Sequence, residues 1–170
     1  MFATGELVVY GGEGVCRVEH IGPSSVPGAD KTKQYYTLLP LYRTGQVLTP
    51  VDTKVLMRPA LTRQQAQALV EGLAELAVPK LPAGNARMLK EHYQAVVTSY
   101  DCTALAQLIC ILVRRCSGAV SQGKKPSQLD ERYLKRAEDQ LYGELGAALG
   151  IARGDVEGYI QTYCPAWPGK

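Results

Sequence analysis

The sequence lacks the common signatures of an enzyme active site. It has no Ser-His-Asp order, no nucleophile elbow and no HExxH motif, and it contains only two histidines. Its acidic pairs, Asp130–Glu131 and Glu138–Asp139, consist of adjacent residues, which point to different sides of a helix. We therefore expect no enzymatic activity. One enzyme hypothesis stays open, a small enzyme that uses Cys102, Cys110 or Cys116 as its nucleophile.

Metal and cofactor motifs are missing as well. The five cysteines are an odd number and no pair has the Cys-x-x-Cys spacing of a zinc site. The glycine-rich stretch VVYGGEGVCRV contains no Gly-Lys-Ser/Thr, and a second β-type pattern follows it where a phosphate loop would lead into a helix. We expect no metal and no cofactor, and interpret Gly11, Gly12 and Gly14 as a tight turn that needs positive φ.

Targeting and membrane segments are also not evident. The first residues show neither a basic region nor an apolar region of a signal peptide. The most apolar run, Ala104 to Val113, is too short to span a bilayer and contains Gln107. These features predict a cytoplasmic protein that does not bind membranes.

The first sixty residues have the pattern of short β-strands. Glu6–Tyr10 and Val15–Ile21 are the first two predicted strands, and QYYTLLPLY and QVLTPVD form a hairpin around Arg43-Thr44-Gly45. Prolines inside both hairpin segments suit edge strands or bulges, and Met57–Pro59 is a candidate for a last strand. Four or five short strands over this length predict a small, strongly bent antiparallel barrel.

The remaining residues have the pattern of helices. A Thr62-x-x-Gln65 capping box opens the first helix, and a second is predicted from Ala86 to Tyr100. Asp101 and Ser127 can cap two longer helices, separated by a polar loop at residues 117–126, and Gly150 can end the second of these. A last short helix is expected at Asp155 to Thr162. The predicted fold is α+β, with a β domain at residues 1–60 and an all-α domain of about five helices at 61–170; a boundary at Pro79–Gly84 is the alternative.

Positive charge is concentrated in the middle of the chain. Residues 80–136 contain ten basic and four acidic side chains, whereas the net charge of the whole chain is +3. Basic side chains that project from several helices of one small domain can follow a phosphate backbone. The candidate DNA-binding residues are Arg87, Lys90, Arg114, Arg115, Lys124, Lys125, Arg132, Lys135 and Arg136.

Several motifs together resemble one known family. The segments MFATGELVVYGGEGVCRVEHI, QYYTLLPL, VLTPVD, MRPALTRQQAQALVEGL and YLKRAEDQLYGELGAALGI occur in the order found in CarD/CdnL-type bacterial transcription regulators. The resemblance covers most of residues 1–160. It implies a Tudor-like or SH3-like barrel that docks on the β subunit of bacterial RNA polymerase and a helical domain that meets promoter DNA at the upstream edge of the bubble.

The resemblance also implies where the polymerase binds. In the family a strand of the barrel extends a sheet of the polymerase, and the matching hairpin here supplies the candidate contacts Tyr36, Leu38, Val47, Leu48, Thr49 and Pro50. Many relatives carry a Trp that wedges at the bubble edge, just before an Arg. Ala86 occupies that position here, and the only Trp of the chain is Trp167.

These features predict a monomeric, non-enzymatic transcription regulator. It would bind the polymerase β subunit through its β domain and promoter DNA through its helical domain, and so modulate open-complex stability. The alternative is a polymerase-bound protein–protein adaptor without DNA contact.

Overall fold

The computed structural model describes residues 1–169. The chain divides into two compact units, Met1–Ala60 and a second unit that begins at Leu61. The described elements of the first unit are all strands, and those of the second are all helical. The α+β fold class is therefore confirmed.

The β unit is one five-stranded antiparallel sheet in the order β4-β3-β2-β1-β5. Five buried side chains form its core: Val8, Cys16, Val18, Tyr36 and Leu38. Burial raises the pKa of the Cys16 thiol to about 11. The strands are β1 (Leu7–Tyr10), β2 (Gly14–Pro23), β3 (Gln34–Pro40), β4 (Val47–Pro50) and β5 (Met57–Pro59).

The sheet curls strongly around this core. In a flat sheet β1 and β4 would lie roughly 14 Å apart, because neighbouring strands are about 4.8 Å apart. The Tyr10 hydroxyl of β1 nevertheless donates a hydrogen bond to Thr49 Oγ1 of β4 at 3.1 Å, which brings the inner faces of these strands together. Within the described residues β4 and β5 do not pair, so closure into a barrel and a Tudor-like or SH3-like identity are not confirmed.

The glycine-rich stretch forms the β1–β2 turn, as predicted. The Glu13 N–H donates to the Tyr10 carbonyl at 3.1 Å, and Gly12 and Gly14 have φ of 88° and 79°, values that favour glycine. Gly11 does not have positive φ, so this part of the prediction is wrong. A Cβ at this position would lie 3.1 Å from Val55 Cγ1, a close contact that a small shift of the Val55 side chain would have to relieve.

The second unit contains five α-helices. Thr62, Asp101 and Ser127 accept hydrogen bonds from the backbone N–H groups of their first turns, and Gly150 ends the longest helix at φ 72°. These four caps confirm the predicted ends. The helices are α1 (Arg63–Gly72), α2 (Ala86–Ser99), α3 (Cys102–Ser121), α4 (Gln128–Leu149) and α5 (Val156–Tyr163), with single 3₁₀ turns at Leu73–Glu75 and Arg153–Asp155.

Helix α3 is longer than predicted. Residues 117–121, expected to be part of a loop, are helical, and Gly123 at φ 71° follows the end of the helix. Arg114 and Arg115 therefore lie more than one turn before the C-terminus, where the helix dipole contributes little to their placement.

Helix α3 is also long and apolar enough to cross a membrane by length and composition alone. The central helix of a soluble bundle meets the same criterion. Here Leu105, Leu108, Ile109 and Leu112 are buried in one core with Leu141 and other side chains of α4. These four side chains form an apolar stripe along α3, which is the part of this helix that enters the core.

Candidate partner-binding surfaces

Strand β4 is one edge of the sheet. Its register pairs Tyr36 with Thr49 and Thr37 with Leu48, and the Val51 N–H donates to the Gln34 carbonyl. Because hydrogen-bonded and non-hydrogen-bonded pairs alternate in an antiparallel ladder, Leu48 directs its N–H and carbonyl away from β3. Pro50 directs only a carbonyl outward, since proline has no N–H. This β4 edge (Val47–Pro50) offers a short row of backbone groups to another strand.

The six predicted polymerase contacts divide between the core and this edge. Tyr36, Leu38 and Thr49 are buried, so their side chains lie inside the β unit. The alternation of β3 contained this signal, because Tyr36, Leu38 and Pro40 share one face. Val47 and Pro50 are half-buried and Leu48 is 39 % exposed; Leu48 is therefore the most accessible of the six side chains.

Three of the nine basic candidates are paired with carboxylates of the helical unit. Arg87 Nε lies 3.2 Å from Glu91, and Lys135 Nζ lies 3.4 Å from Asp139, both one turn apart on exposed helix surface. Arg115 Nε lies 3.0 Å from the Asp130 carboxylate. These pairings partly neutralise the charge that each side chain could offer to an anionic partner.

The Arg115 pair belongs to a buried network that the sequence did not predict. Asp130 is 4 % exposed and accepts hydrogen bonds from Arg115 Nε at 3.0 Å and from the Tyr93 hydroxyl at 2.8 Å. Burial raises the pKa of Tyr93, and the neighbouring Asp130 carboxylate raises it further. The network joins α2, α3 and α4, so the structure assigns Arg115 a packing role.

Arg132 and Arg136, one turn apart on α4, both lie close to the ring of Tyr133. Their guanidinium carbons are 5.6 and 5.2 Å from the centroid of the Tyr133 ring. The Tyr133 hydroxyl donates to Gln94 Oε1 at 2.6 Å, and Arg136 Nη1 donates to the same oxygen at 3.3 Å.

The remaining basic candidates are exposed at separate places. Lys90 is one turn before Gln94 on α2, and Lys124 and Lys125 lie in the loop between α3 and α4. Arg114 faces Cys110, whose pKa it lowers against the larger effect of burial. None of these four side chains has a carboxylate within 4 Å among residues 1–169.

The comparison with known families identifies the β unit. Residues 2–61 match the family described as CarD-like/TRCF RID domain. The β unit is a CarD-like/TRCF RID domain. This family implies an interaction with RNA polymerase, and the resemblance inferred from the sequence is confirmed for these residues. No curated protein matches the chain.

The family match ends where the helical unit starts, so it does not cover Ala86, the residue that the resemblance places at the wedge position. Ala86 is the first residue of α2 and is exposed, and Asn85 caps the helix by accepting a hydrogen bond from the Met88 N–H. Met88, which was not among the predicted site residues, is 49 % exposed in the same turn.

The thiols outside the RID domain bear on the enzyme hypothesis. None of the five cysteines forms a disulfide, and burial raises the pKa of Cys110 and of Cys116. A raised pKa lowers the fraction of thiolate, which is the nucleophilic form. Cys102 donates a hydrogen bond to Glu144 at 3.2 Å. Among residues 1–169 no group of three His, Cys, Asp or Glu side chains could hold a metal ion.

Proposed function

We propose that this protein is a non-enzymatic, cytoplasmic and monomeric transcription regulator. Its RID domain binds the β subunit of bacterial RNA polymerase, and its helical unit contacts promoter DNA at the upstream edge of the bubble, which modulates open-complex stability. The observation that carries the proposal is the RID family match over residues 2–61, on a sheet whose β4 edge is open. The exposed basic side chains of the helical unit support the DNA contact.

The decisive experiment is co-purification with polymerase core followed by measurement of open-complex lifetimes. The full chain should be retained by the core enzyme and should change the lifetime at a test promoter. Failure to be retained would overturn the polymerase contact. Retention without any change in lifetime would overturn the proposed action on the open complex.

The second candidate function is a polymerase-bound adaptor that makes no DNA contact. It is favoured by the pairing of Arg87, Arg115 and Lys135 with carboxylates, which reduces the free positive charge of the helical unit. DNA binding that weakens steeply with salt favours the regulator. Salt-independent pull-down of another protein, without DNA affinity, favours the adaptor.

Leu48→Glu should weaken polymerase binding. In strand addition the partner would cover the exposed Leu48 side chain, and the carboxylate would then be buried without a partner charge. The affinity should fall roughly tenfold or more, because tenfold corresponds to only about 1.4 kcal/mol and an unpaired buried charge costs more. Titration of labelled protein with polymerase core measures the change.

The matched control for Leu48→Glu is Val55→Glu, which places the same charge at a similarly exposed apolar site outside β4 (45 % exposed). Val55→Glu should leave the affinity unchanged. Equal losses for the two variants, or none for Leu48→Glu, would show that β4 is not the docking edge.

Ala86→Trp should lengthen open-complex lifetime. An aromatic side chain can fill the gap at an unstacked base step, which alanine cannot do, and stacking on a base contributes about 1–3 kcal/mol. The expected gain is about tenfold or more in lifetime at unchanged polymerase affinity. The exposed position of Ala86 at the helix start allows the larger side chain.

Ala95→Trp is the control for this gain, because Ala95 is exposed on the same helix but half a revolution away from Ala86. The open-complex lifetime with Ala95→Trp should equal that with the unmodified chain. If Ala86→Trp folds normally and the lifetime does not change, α2 does not begin at the bubble edge.

A further inference from the structure

Arg132 and Arg136 are basic side chains without a carboxylate partner. Within the described residues no carboxylate oxygen lies within 4 Å of either guanidinium, in contrast to Arg87, Arg115 and Lys135. Both arginines are exposed on α4. Their charge is therefore available to an external anion.

The two guanidinium groups are held near each other. Each lies within 5.6 Å of the Tyr133 ring centroid, so their central carbons are at most about 11 Å apart, which is close to the screening length of about 10 Å at 0.1 M salt. Like charges at this separation repel each other weakly. An anion placed between them would remove that repulsion and gain attraction from both.

Gln94 fixes the orientation of Arg136. A guanidinium carries only donors, so the amide atom that faces Arg136 Nη1 must be the oxygen. The same oxygen accepts from the hydroxyl of Tyr133, whose side chain is 2 % exposed. A buried tyrosine thus positions a surface amide, and the amide positions the arginine.

The amide nitrogen of Gln94 adds a third donor. With Oε1 directed to Tyr133 and Arg136, Nε2 makes no hydrogen bond inside the described chain. Lys90, one turn earlier on α2, carries a further positive charge on this side of the helix. The N–H donors of the two guanidinium groups and of the Gln94 amide suit the oxygens of a phosphate.

We propose that Arg132 and Arg136, oriented by Tyr133 and Gln94, form a preformed phosphate clamp that holds the DNA backbone. Rigid placement reduces the ordering cost of binding, and contacts to phosphates fix register without reading sequence. The inference rests on the proposed function, because it names the residues of the helical unit that contact DNA.

The test compares DNA affinity of full-length variants over a range of salt concentrations, with a short mixed-sequence duplex as the probe. Each phosphate contact contributes about 0.9 to the slope of log affinity against log salt. Arg132→Ala with Arg136→Ala should reduce the slope by about two. Gln94→Glu keeps the acceptor for Tyr133 but pairs Arg136 internally, so it should reduce the slope by about one while thermal stability is retained.

Lys33→Ala is the control, because it removes one positive charge from an exposed ion pair with Asp52 in the β unit, at a residue that is not a DNA-binding candidate. Its slope should equal that of the unmodified chain. If the unmodified chain binds DNA and the double variant has the same slope, the clamp is wrong and DNA contact remains. If the unmodified chain shows no salt-dependent binding, the DNA part of the proposed function fails together with the clamp.

Discussion

Asp130→Ala should lower the free energy of unfolding of the helical unit by about 3 kcal/mol. Removal of one partner of a buried ion pair costs about 3–5 kcal/mol, and the Arg115 side chain remains 40 % exposed, which places the loss at the lower end. The Tyr93 hydroxyl, which donates to Asp130 at 2.8 Å, also loses its acceptor. Chemical denaturation followed by far-UV circular dichroism measures the change, because that signal reports the helices.

Two further variants separate charge from general effects of substitution. Asp130→Asn retains an acceptor and the shape of the side chain, and its loss should be smaller than that of the alanine variant. Asp139→Ala removes an exposed carboxylate of α4 that pairs with Lys135 at 3.4 Å, and it should change stability by at most about 1 kcal/mol. An alanine variant at position 130 as stable as the Asp139→Ala protein would contradict the buried network.

The Asp130 network also bears on the clamp. Tyr93 contacts Tyr133 with ring centroids 5.6 Å apart, and Tyr133 lies beneath both arginines. Loss of Asp130 removes the hydrogen bond that holds Tyr93 in place. We therefore expect Asp130→Ala to loosen the support of Tyr133 and the two arginines, and also to release the charge of Arg115.

The ends and faces of the helices could be predicted because they depend on residues close in sequence. The Thr62–Gln65 capping box spans three residues, and the caps at Asp101 and Ser127 act on the next turn. The apolar stripes follow the helical repeat alone. The turn at Gly12 and Gly14 is equally local, since it depends on their positive φ.

The clamp and its support could not be predicted because their members are distant in sequence. Gln94 lies 39 residues before Tyr133 and reaches it only when α2 packs beside α4. In the same way, the burial of Asp130 depends on α3 and α2, although its position in a first helical turn gives a local reason for an acidic residue. The sequence analysis placed Arg132, Lys135 and Arg136 in one set of candidates, whereas the ion pair with Asp139 distinguishes Lys135.

The β3–β4 hairpin likewise has some features that depend on residues close in sequence and others that depend on the pairing of its strands. The sequence correctly indicated short strands with prolines at Pro40 and Pro50. Of these two strands only β4 lies at an edge, because β3 lies between β4 and β2 and its Pro40 is the last residue of the strand. The resemblance alone could not separate the inward Thr49 from the outward Leu48, because that depends on the register between β3 and β4.

Trp167→Ala should destabilise the helical unit by about 3–5 kcal/mol, the usual cost of truncating a large buried aromatic side chain. Trp167 is 4 % exposed within the core that also contains Val156 and Ile160 of α5. Its indole N–H donates to the Tyr142 hydroxyl at 2.9 Å, and burial raises the pKa of Tyr142. Thermal unfolding followed by circular dichroism measures the loss without depending on the tryptophan signal.

Tyr163→Ala is the control for this substitution, because it truncates a nearby aromatic residue that is 44 % exposed and contacts only Tyr159 among the described aromatic rings, at 5.4 Å. Its cost should be at most about 1.5 kcal/mol. If Trp167→Ala unfolds at the same temperature as the unmodified chain, Trp167 does not pack in the core as described. The burial of Trp167 bears on the proposed function, because the only tryptophan of the chain is held in the core. A tryptophan wedge must therefore be introduced, as at Ala86, before its effect on the open complex can be measured.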